Sequence, residues 1–259
     1  MQTRSVDFHI AALESMKKYP QVLYSRGNLQ LLEKKKIAIV GSRKPNQYAR
    51  YKSEELAKKL SQAGYVIVSG GAIGIDAIAH KAAGSHNTIL VAPTGLDKRY
   101  PKINARLIES IENEGLVLSQ FGEGTPSTKY NFVIRNELVV ALGDALLVTY
   151  AEKNSGTMRS VEYALAMGKT IYVLAHRVGE SEGTNMLLAE GKAKAIYDIE
   201  HFMQEFAIQD VKESQEDPFL AFCATNPSYE LLCATFPERA FEAELLGEIS
   251  VVNGRVLKN

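Results

Sequence analysis

The sequence predicts an α/β fold in which helices cover both faces of a mainly parallel sheet, followed by a small C-terminal module. Three observations predict it. Short β-branched runs recur from residue 37 onward, segments of helical periodicity separate them, and a polar acidic stretch near residue 210 divides this region from a helix-and-hairpin tail. The runs are IAIV (37–40), YVIVS (65–69), TILVAP (88–93), LVLS (116–119), ALLVTY (145–150) and TIYVLA (170–175). All are apolar without alternation, as expected of strands buried on both faces. Between them, 47–63 carries apolar positions at Leu56, Ala57, Leu60 and Ala63 and stops at Gly64; 76–83 runs similarly to Gly84. A glycine at those stops can adopt the left-handed conformation that closes a helix.

The remaining boundaries follow from composition. Residues 1–36 are expected to form a short N-terminal helical segment, 37–206 the sheet domain, and 207–217 a linker, because QDVKESQEDP is polar, acidic and closed by a proline. In 218–259, Pro227 and Pro237 stand where short helices start. EISVV and RVLK flank Asn253-Gly254, a strong hairpin signal because both turn positions need positive φ. Short helices followed by a hairpin make this tail winged-helix-like.

Across 259 residues, 30 Lys+Arg balance 30 Asp+Glu. The neutral sum hides a dipolar chain: 13 basic against 5 acidic residues in 1–60, 13 against 13 in 61–197, and 2 against 12 in 198–248. That pattern suits an anion-binding face beside a protein-docking module, although Lys34, Lys35 and Lys36 also read simply as a solvated run. No apolar run approaches the roughly 20 residues of a membrane span. The first twenty residues lack the pattern of a signal peptide. Cys223 and Cys233 have no CxxC spacing and no histidine partners, so reduced buried thiols are expected. A cytoplasmic protein without membrane association, cofactor or metal is the expectation.

In open parallel sheets, ligands sit beyond the carboxyl ends of the strands, so the turns after each strand are where chemistry is sought. Gly41-Ser42-Arg43 follows the first run. Gly41 permits a tight turn, Ser42 offers a hydroxyl and amide near a helix start, and Arg43 is a planar bidentate donor suited to phosphate, or alternatively to a surface carboxylate. The next turn, Ser69-Gly70-Gly71-Ala72-Ile73-Gly74-Ile75-Asp76, fits neither a dinucleotide fingerprint nor a Walker loop. Amides at Gly70, Gly71 and Gly74 could face an anion, with Asp76 capping the following helix.

The order of signals IVGSR, VSGGAIGIDAIAH, GLDKRYPKIN, Arg135-Asn136, NSGT and a glycine-ended helix into IYVLA resembles the DNA-processing protein A (DprA/Smf) family over residues 20–206. FPERAFEAELLGEISVVNGRV resembles that family's C-terminal winged-helix-like tail. The resemblance implies an extended Rossmann-like fold and a homodimer without catalytic activity. It further implies a protein that binds single-stranded DNA with little sequence preference and passes it to a RecA-type recombinase during natural transformation (competence). Departures are a shortened N-terminal region, Leu118-Ser119-Gln120 where many relatives have Ser-Glu, and Asn136-Glu137 where many have Asn-Arg.

A sequence-tolerant single-strand binder needs cations for phosphates and aromatic faces for bases. By the resemblance, Lys129 is assigned to a phosphate and Phe132 to base stacking, with core packing the alternative for Phe132. Arg135 and Asn136 line the groove or tie its loops together, and ties are favoured. Asn154-Ser155-Gly156-Thr157 starts a helix and joins the anion pocket, Thr157 otherwise acting as a cap. Lys169 is assigned to the groove or to offsetting a helix end. The alternative function is a Rossmann-like nucleotide-binding protein or nucleoside monophosphate phosphoribohydrolase. Such hydrolases carry P-G-G-x-G-T-x-x-E, but Ser160 stands at the glutamate position. Glu162 lies two residues on, about 200° around a helix, which disfavours hydrolysis.

Overall fold

The computed structural model describes residues 2–204, 218–223, 225–245, 247, 249–252 and 254–258. The chain forms two compact units, 1–199 and 200–259. In the first, nine strands make one sheet: β1 (Arg4–Ser5), β2 (Tyr24–Gly27), β3 (Lys36–Val40), β4 (Val66–Ser69), β5 (Thr88–Val91), β6 (Leu116–Ser119), β7 (Ala145–Val148), β8 (Ile171–Leu174) and β9 (Lys194–Ile196). Their spatial order is β1-β2-β6-β5-β4-β3-β7-β8-β9. Strands β3 to β9 run parallel, with Ile37 beside Ile67 on one side and Ala145 on the other. The sheet is Rossmann-like, and the apolar runs became β3 to β8.

The helices are α1 (Gln47–Gln62), α2 (Ile75–Ala83), α3 (Ala105–Glu114), α4 (Lys129–Leu142), α5 (Gly156–Ala166) and α6 (Glu182–Ala189). Alternate strand residues face opposite layers. Ala38, Val40, Val68, Ile89 and Leu146 join Leu138, Leu142 and Val161 in the core under α4 and α5. Leu90 and Val117 instead meet Ile108 and Ile111 of α3. From β3 the chain steps outward one way through β4, β5 and β6, then α4 carries it back to β7, on the other side of β3. The direction of winding therefore reverses between β3 and β7, which opens a crevice at their carboxyl ends.

The N-terminal region departs from expectation. Residues 1–36 contain strands β1 and β2 and 3-10 turns at Ala11–Ser15 and Leu29–Leu32 rather than a helical segment. Strand β2 pairs antiparallel with β6, for example Ser25 with Leu118, and covers what would otherwise be an open parallel edge. Arg26 fastens it: its Nη1 lies 3.4 Å from Oε1 of the buried Glu112, which also takes Arg99 Nη2 at 2.7 Å. Of the lysine triplet, Lys34 and Lys35 are exposed but Lys36 is buried. Its Nζ donates to the Leu32 carbonyl at 2.9 Å, and its backbone amide to Asp144 Oδ2 at 2.8 Å.

The second unit holds helices at Pro218–Cys223, Tyr229–Thr235 and Pro237–Leu245 and the hairpin β10 (Ile249–Val252) and β11 (Arg255–Lys258), in which Val251 faces Val256. Gly254 in the turn has φ +75°. Phe219, Cys223, Leu232, Ala240, Ala243, Ile249 and Val256 form its core. Both cysteines are free thiols; Cys223 is buried and Cys233 half-buried. The linker expected over 207–217 lies outside the described residues. Among the described residues no helix is long and apolar enough to cross a membrane.

Candidate nucleic-acid interface

The crevice is a cleft of about 650 Å³. Its walls come from the β3 to α1 turn (Gly41, Ser42, Arg43 and Lys44), the start of α4 (Lys129, Phe132, Arg135 and Asn136) and the start of α5 (Ser155, Gly156 and Thr157), with Gly70 on the floor. These segments are far apart in sequence and meet because each follows a strand on the same rim of the sheet, or crosses that rim as α4 does.

Arg135 is the hub of the floor. It is 4% exposed, and its Nη1 donates to the carbonyls of Gly70 and, at 3.0 Å, Val91, so it joins the ends of β4 and β5. Its Nε donates to Asn136 Oδ1 at 3.2 Å, and Asn136 Nδ2 reaches the Gly156 carbonyl at 3.5 Å. The two residues act as ties, with Asn136 on the cleft wall. Gly70 is required by this arrangement, since a Cβ there would overlap the Arg135 guanidinium.

Asp76 also lines the cleft, buried within α2 rather than at its cap, which is Gly74. Its Oδ2 accepts the Ala72 amide at 3.3 Å. Burial pushes its carboxyl up, opposed by the Arg135 charge, the amides of Ala72 and Gly70, and the Arg43 charge. The Ala72 and Gly70 amides of the glycine turn thus serve the Asp76 carboxyl rather than a ligand. Gly71 does not line the cleft: its φ is +71° and its carbonyl accepts from Asn104 Nδ2 at 3.0 Å.

Phe132 is half-buried and lies outside the hydrophobic clusters of the core. The Arg43 Cζ stands 5.4 Å from its ring centroid, Arg135 Cζ 5.8 Å, and Tyr100 packs beside it at 5.8 Å between centroids. Lys129 is exposed at the first position of α4, after the cap Thr128, whose Oγ1 accepts the Asn131 amide at 3.1 Å. A cation there opposes the helix dipole, so α4 itself gains nothing from it.

Ser42 donates its amide to the Tyr150 carbonyl at 2.9 Å and accepts the Lys44 amide on Oγ at 3.0 Å. Ser155 occupies the cap position of α5 with extended backbone and no capping bond. Its buried Oγ has no hydrogen-bond partner among the described residues. Asn154 is exposed and does not line the cleft. Lys169 is also elsewhere. It precedes β8, at the amino edge of the sheet, where Nζ donates to the carbonyls of Ala141, at 2.6 Å, and Gly143, closing the end of α4. Burial lowers its pKa to about 8.

Residues missed in the sequence are Lys44 and Arg159 on the walls, with Glu152 and Ser160. Arg159 sits one helical turn after Ser155, a spacing that could have flagged it. Its ion pair with Glu162, 2.8 Å and mostly exposed, holds it weakly. Ser160 is buried on the wall, whereas Glu162 is exposed.

Comparison with known proteins supplies an independent line. The family model for DNA recombination-mediator protein A matches residues 4–207. DNA processing protein DprA of Streptococcus pneumoniae (strain ATCC BAA-255 / R6) is 37% identical over 191 residues, 72% of this chain and 67% of that protein. Protein Smf of Escherichia coli (strain K12) is 30% identical over 239 residues, 90% of this chain and 62% of that one. The structure of DNA processing protein A from Helicobacter pylori, described for its single-stranded DNA binding mode, matches with a TM-score of 0.79 at 37% identity, covering 80% of this chain and 97% of that one. The Rossmann-like sheet, the motif order and these matches across the whole first unit lead to one assignment: the chain belongs to the DNA recombination-mediator protein A family.

Proposed function

We propose that the cleft binds single-stranded DNA, with Arg43 and Lys129 on phosphates, the start of α5 on another, and Phe132 beneath a base. The observation that carries this reading is the placement of Phe132, an aromatic face at the cleft wall with a guanidinium over it and an unfavourably placed lysine on the same helix. Cations that track phosphates and a ring that accepts any base are what sequence-tolerant strand binding requires. Ser155 Oγ, buried and without a hydrogen-bond partner among the described residues, suits a phosphate oxygen at a helix start. Binding without turnover is favoured over base hydrolysis, because Ser160 occupies the wall position where the hydrolases carry glutamate.

The wider role follows the family: a cytoplasmic homodimer that protects incoming DNA and helps load a RecA-type recombinase in natural transformation. Relatives that carry the family's names are described as DNA-processing proteins. The C-terminal module is read as winged-helix-like and as a protein-docking element, from its excess of acidic residues.

Fluorescence anisotropy with an oligo-dT tests the reading. Arg43→Ala and Lys129→Ala should each weaken binding and flatten the log-log salt dependence by about 0.7. Phe132→Ala should weaken it by about 1–3 kcal/mol at unchanged slope. Three variants that bind like the parent would place the strand elsewhere.

A further inference from the structure

A second recess of about 400 Å³ opens on the same rim, lined by Asn46, Gln47, Tyr48, Ala175, His176, Arg177 and Glu180. None of these residues lines the first cleft. Only the β3 to α1 turn separates the two: Gly41 to Lys44 wall the cleft, and Asn46 to Tyr48 wall the recess.

The recess is rigidly built. Asn185 Nδ2 donates to the carbonyls of His176, Arg177 and Glu180 at 3.2, 3.2 and 3.1 Å, and its Oδ1 accepts the His176 amide at 3.2 Å. Asn46 caps α1 by accepting the Ala49 amide at 2.8 Å, and its Nδ2 donates to Glu180 Oε2 at 3.1 Å. One asparagine thus fixes the loop and another fixes the carboxylate on it.

Its chemistry is that of an acceptor site beside an aromatic face. His176 Nε2 lies 2.8 Å from the Thr149 carbonyl and donates to it, which in the neutral imidazole leaves Nδ1 as an acceptor. That Nδ1 is buried and has no hydrogen-bond partner among the described residues. Tyr48 and Tyr150 hold the imidazole edge-on at 5.4 and 5.2 Å between centroids. Tyr48 is itself 43% exposed. The exposed Arg177 guanidinium has no side-chain partner among the described residues, so it is available to a phosphate. Two acceptors, His176 Nδ1 and the second carboxylate oxygen of Glu180, call for a ligand that donates N–H bonds. Exocyclic amino groups of nucleobases do so, and a carboxylate reading the cytosine amine is a known pairing. Thymine, with two carbonyl oxygens and one N–H, suits such a site poorly.

The geometry points to this recess as a second nucleotide subsite, which takes an amino-bearing base and extends the single-strand path past the start of α1. This rests on the proposed strand binding in the first cleft.

The test compares oligo-dC and oligo-dT of about 5 and about 20 nucleotides, lengths that bracket one site and a continued path. Both homopolymers stack weakly, so their difference reports recognition. The parent should prefer long dC to long dT and show no preference between the short ones. Tyr48→Ala should weaken long dC by about 5-fold or more and leave the short oligonucleotides unchanged. Glu180→Gln, which keeps an acceptor for Asn46, should abolish the preference for long dC. If both variants behave as the parent at each length while Arg43→Ala weakens all four ligands, the subsite is refuted and the first cleft stands. Equal weakening of short and long ligands by Tyr48→Ala also refutes it. A parent that binds neither length overturns the strand-binding reading itself.

Discussion

Replacing Arg135 by methionine tests whether the cleft floor is held by one buried cation. Methionine retains most of the aliphatic stem, so the change isolates the guanidinium. Its removal leaves the carbonyls of Gly70 and Val91 without this donor and removes the cation that opposes the raised pKa of Asp76. An unsatisfied buried acceptor costs about 1–3 kcal/mol. Withdrawing the Arg135 charge from the Asp76 carboxyl adds a cost bounded by the about 3–5 kcal/mol of a broken buried ion pair, part of which is the same loss. Methionine also relieves the desolvation of the guanidinium, so a net destabilisation of about 3–5 kcal/mol is expected, a large share of a typical 5–15 kcal/mol. Urea denaturation followed by far-UV circular dichroism measures it, and Asp76→Asn supplies the control. If the stranded carboxylate carries much of the loss, the double variant should recover about half of it, and the coupling should exceed 1 kcal/mol. A loss below about 1 kcal/mol would show that the loops hold their places without Arg135, and a double variant no better than the sum of the singles would show that the Asp76 carboxylate carries none of the loss.

Three further outcomes follow from the structure. His80 is fully buried, with Nδ1 2.6 Å from Thr88 Oγ1, and burial lowers its pKa from 6.5 to about 3. The unfolded chain therefore binds the extra proton between those values, so stability should fall as pH drops through 6.5 toward 3, by up to about 1.4 kcal/mol per unit; His80→Gln should flatten that slope in pH-dependent urea titrations. Gly74 has φ +84°, and a Cβ there would overlap the Ser42 carbonyl and the Arg43 backbone; Gly74→Ala should lose about 2 kcal/mol or more in thermal denaturation and weaken oligonucleotide binding with it. Lys169→Met, at the opposite rim, should leave oligonucleotide affinity within about 2-fold by anisotropy, and a larger loss would bring that lysine back into the binding path.

What was legible in the sequence was set by periodicity and by the rule about strand ends. The runs that became β3 to β8 are apolar on both faces, a pattern that needs no tertiary information. Strands β2 and β9 escaped because YSRG and KAI are too short to show any period, and only their neighbours β6 and β8 make them strands. The same rule that placed Arg43, Lys129 and Ser155 on one rim could have excluded Lys169, since a residue that precedes a parallel strand sits at its amino end. Glycines were the weak point. Gly41, Gly70 and Gly71 look alike in sequence, yet Gly70 makes room for a guanidinium from 65 residues away and Gly71 packs against Leu90. Such long-range reasons leave no local trace.

The buried acid Asp76 couples the cleft to protons. Arg135 and Arg43 both act on Asp76, and burial already favours its neutral form. A polyanion in the cleft adds negative charge above that carboxyl and raises its pKa further, so binding should take up a proton. By linkage, affinity then rises as pH falls through the interval between the free and bound pKa values of Asp76. One charge about 8 Å away at an effective dielectric near 20 is worth about 2 kcal/mol, an upper bound of roughly 30-fold in affinity. Asp76→Asn should reproduce the tighter binding at neutral pH and remove this component of the pH dependence. If parent and variant titrate in parallel from pH 7 to pH 4, the Asp76 proton is not coupled to the strand and the floor acts only as a scaffold.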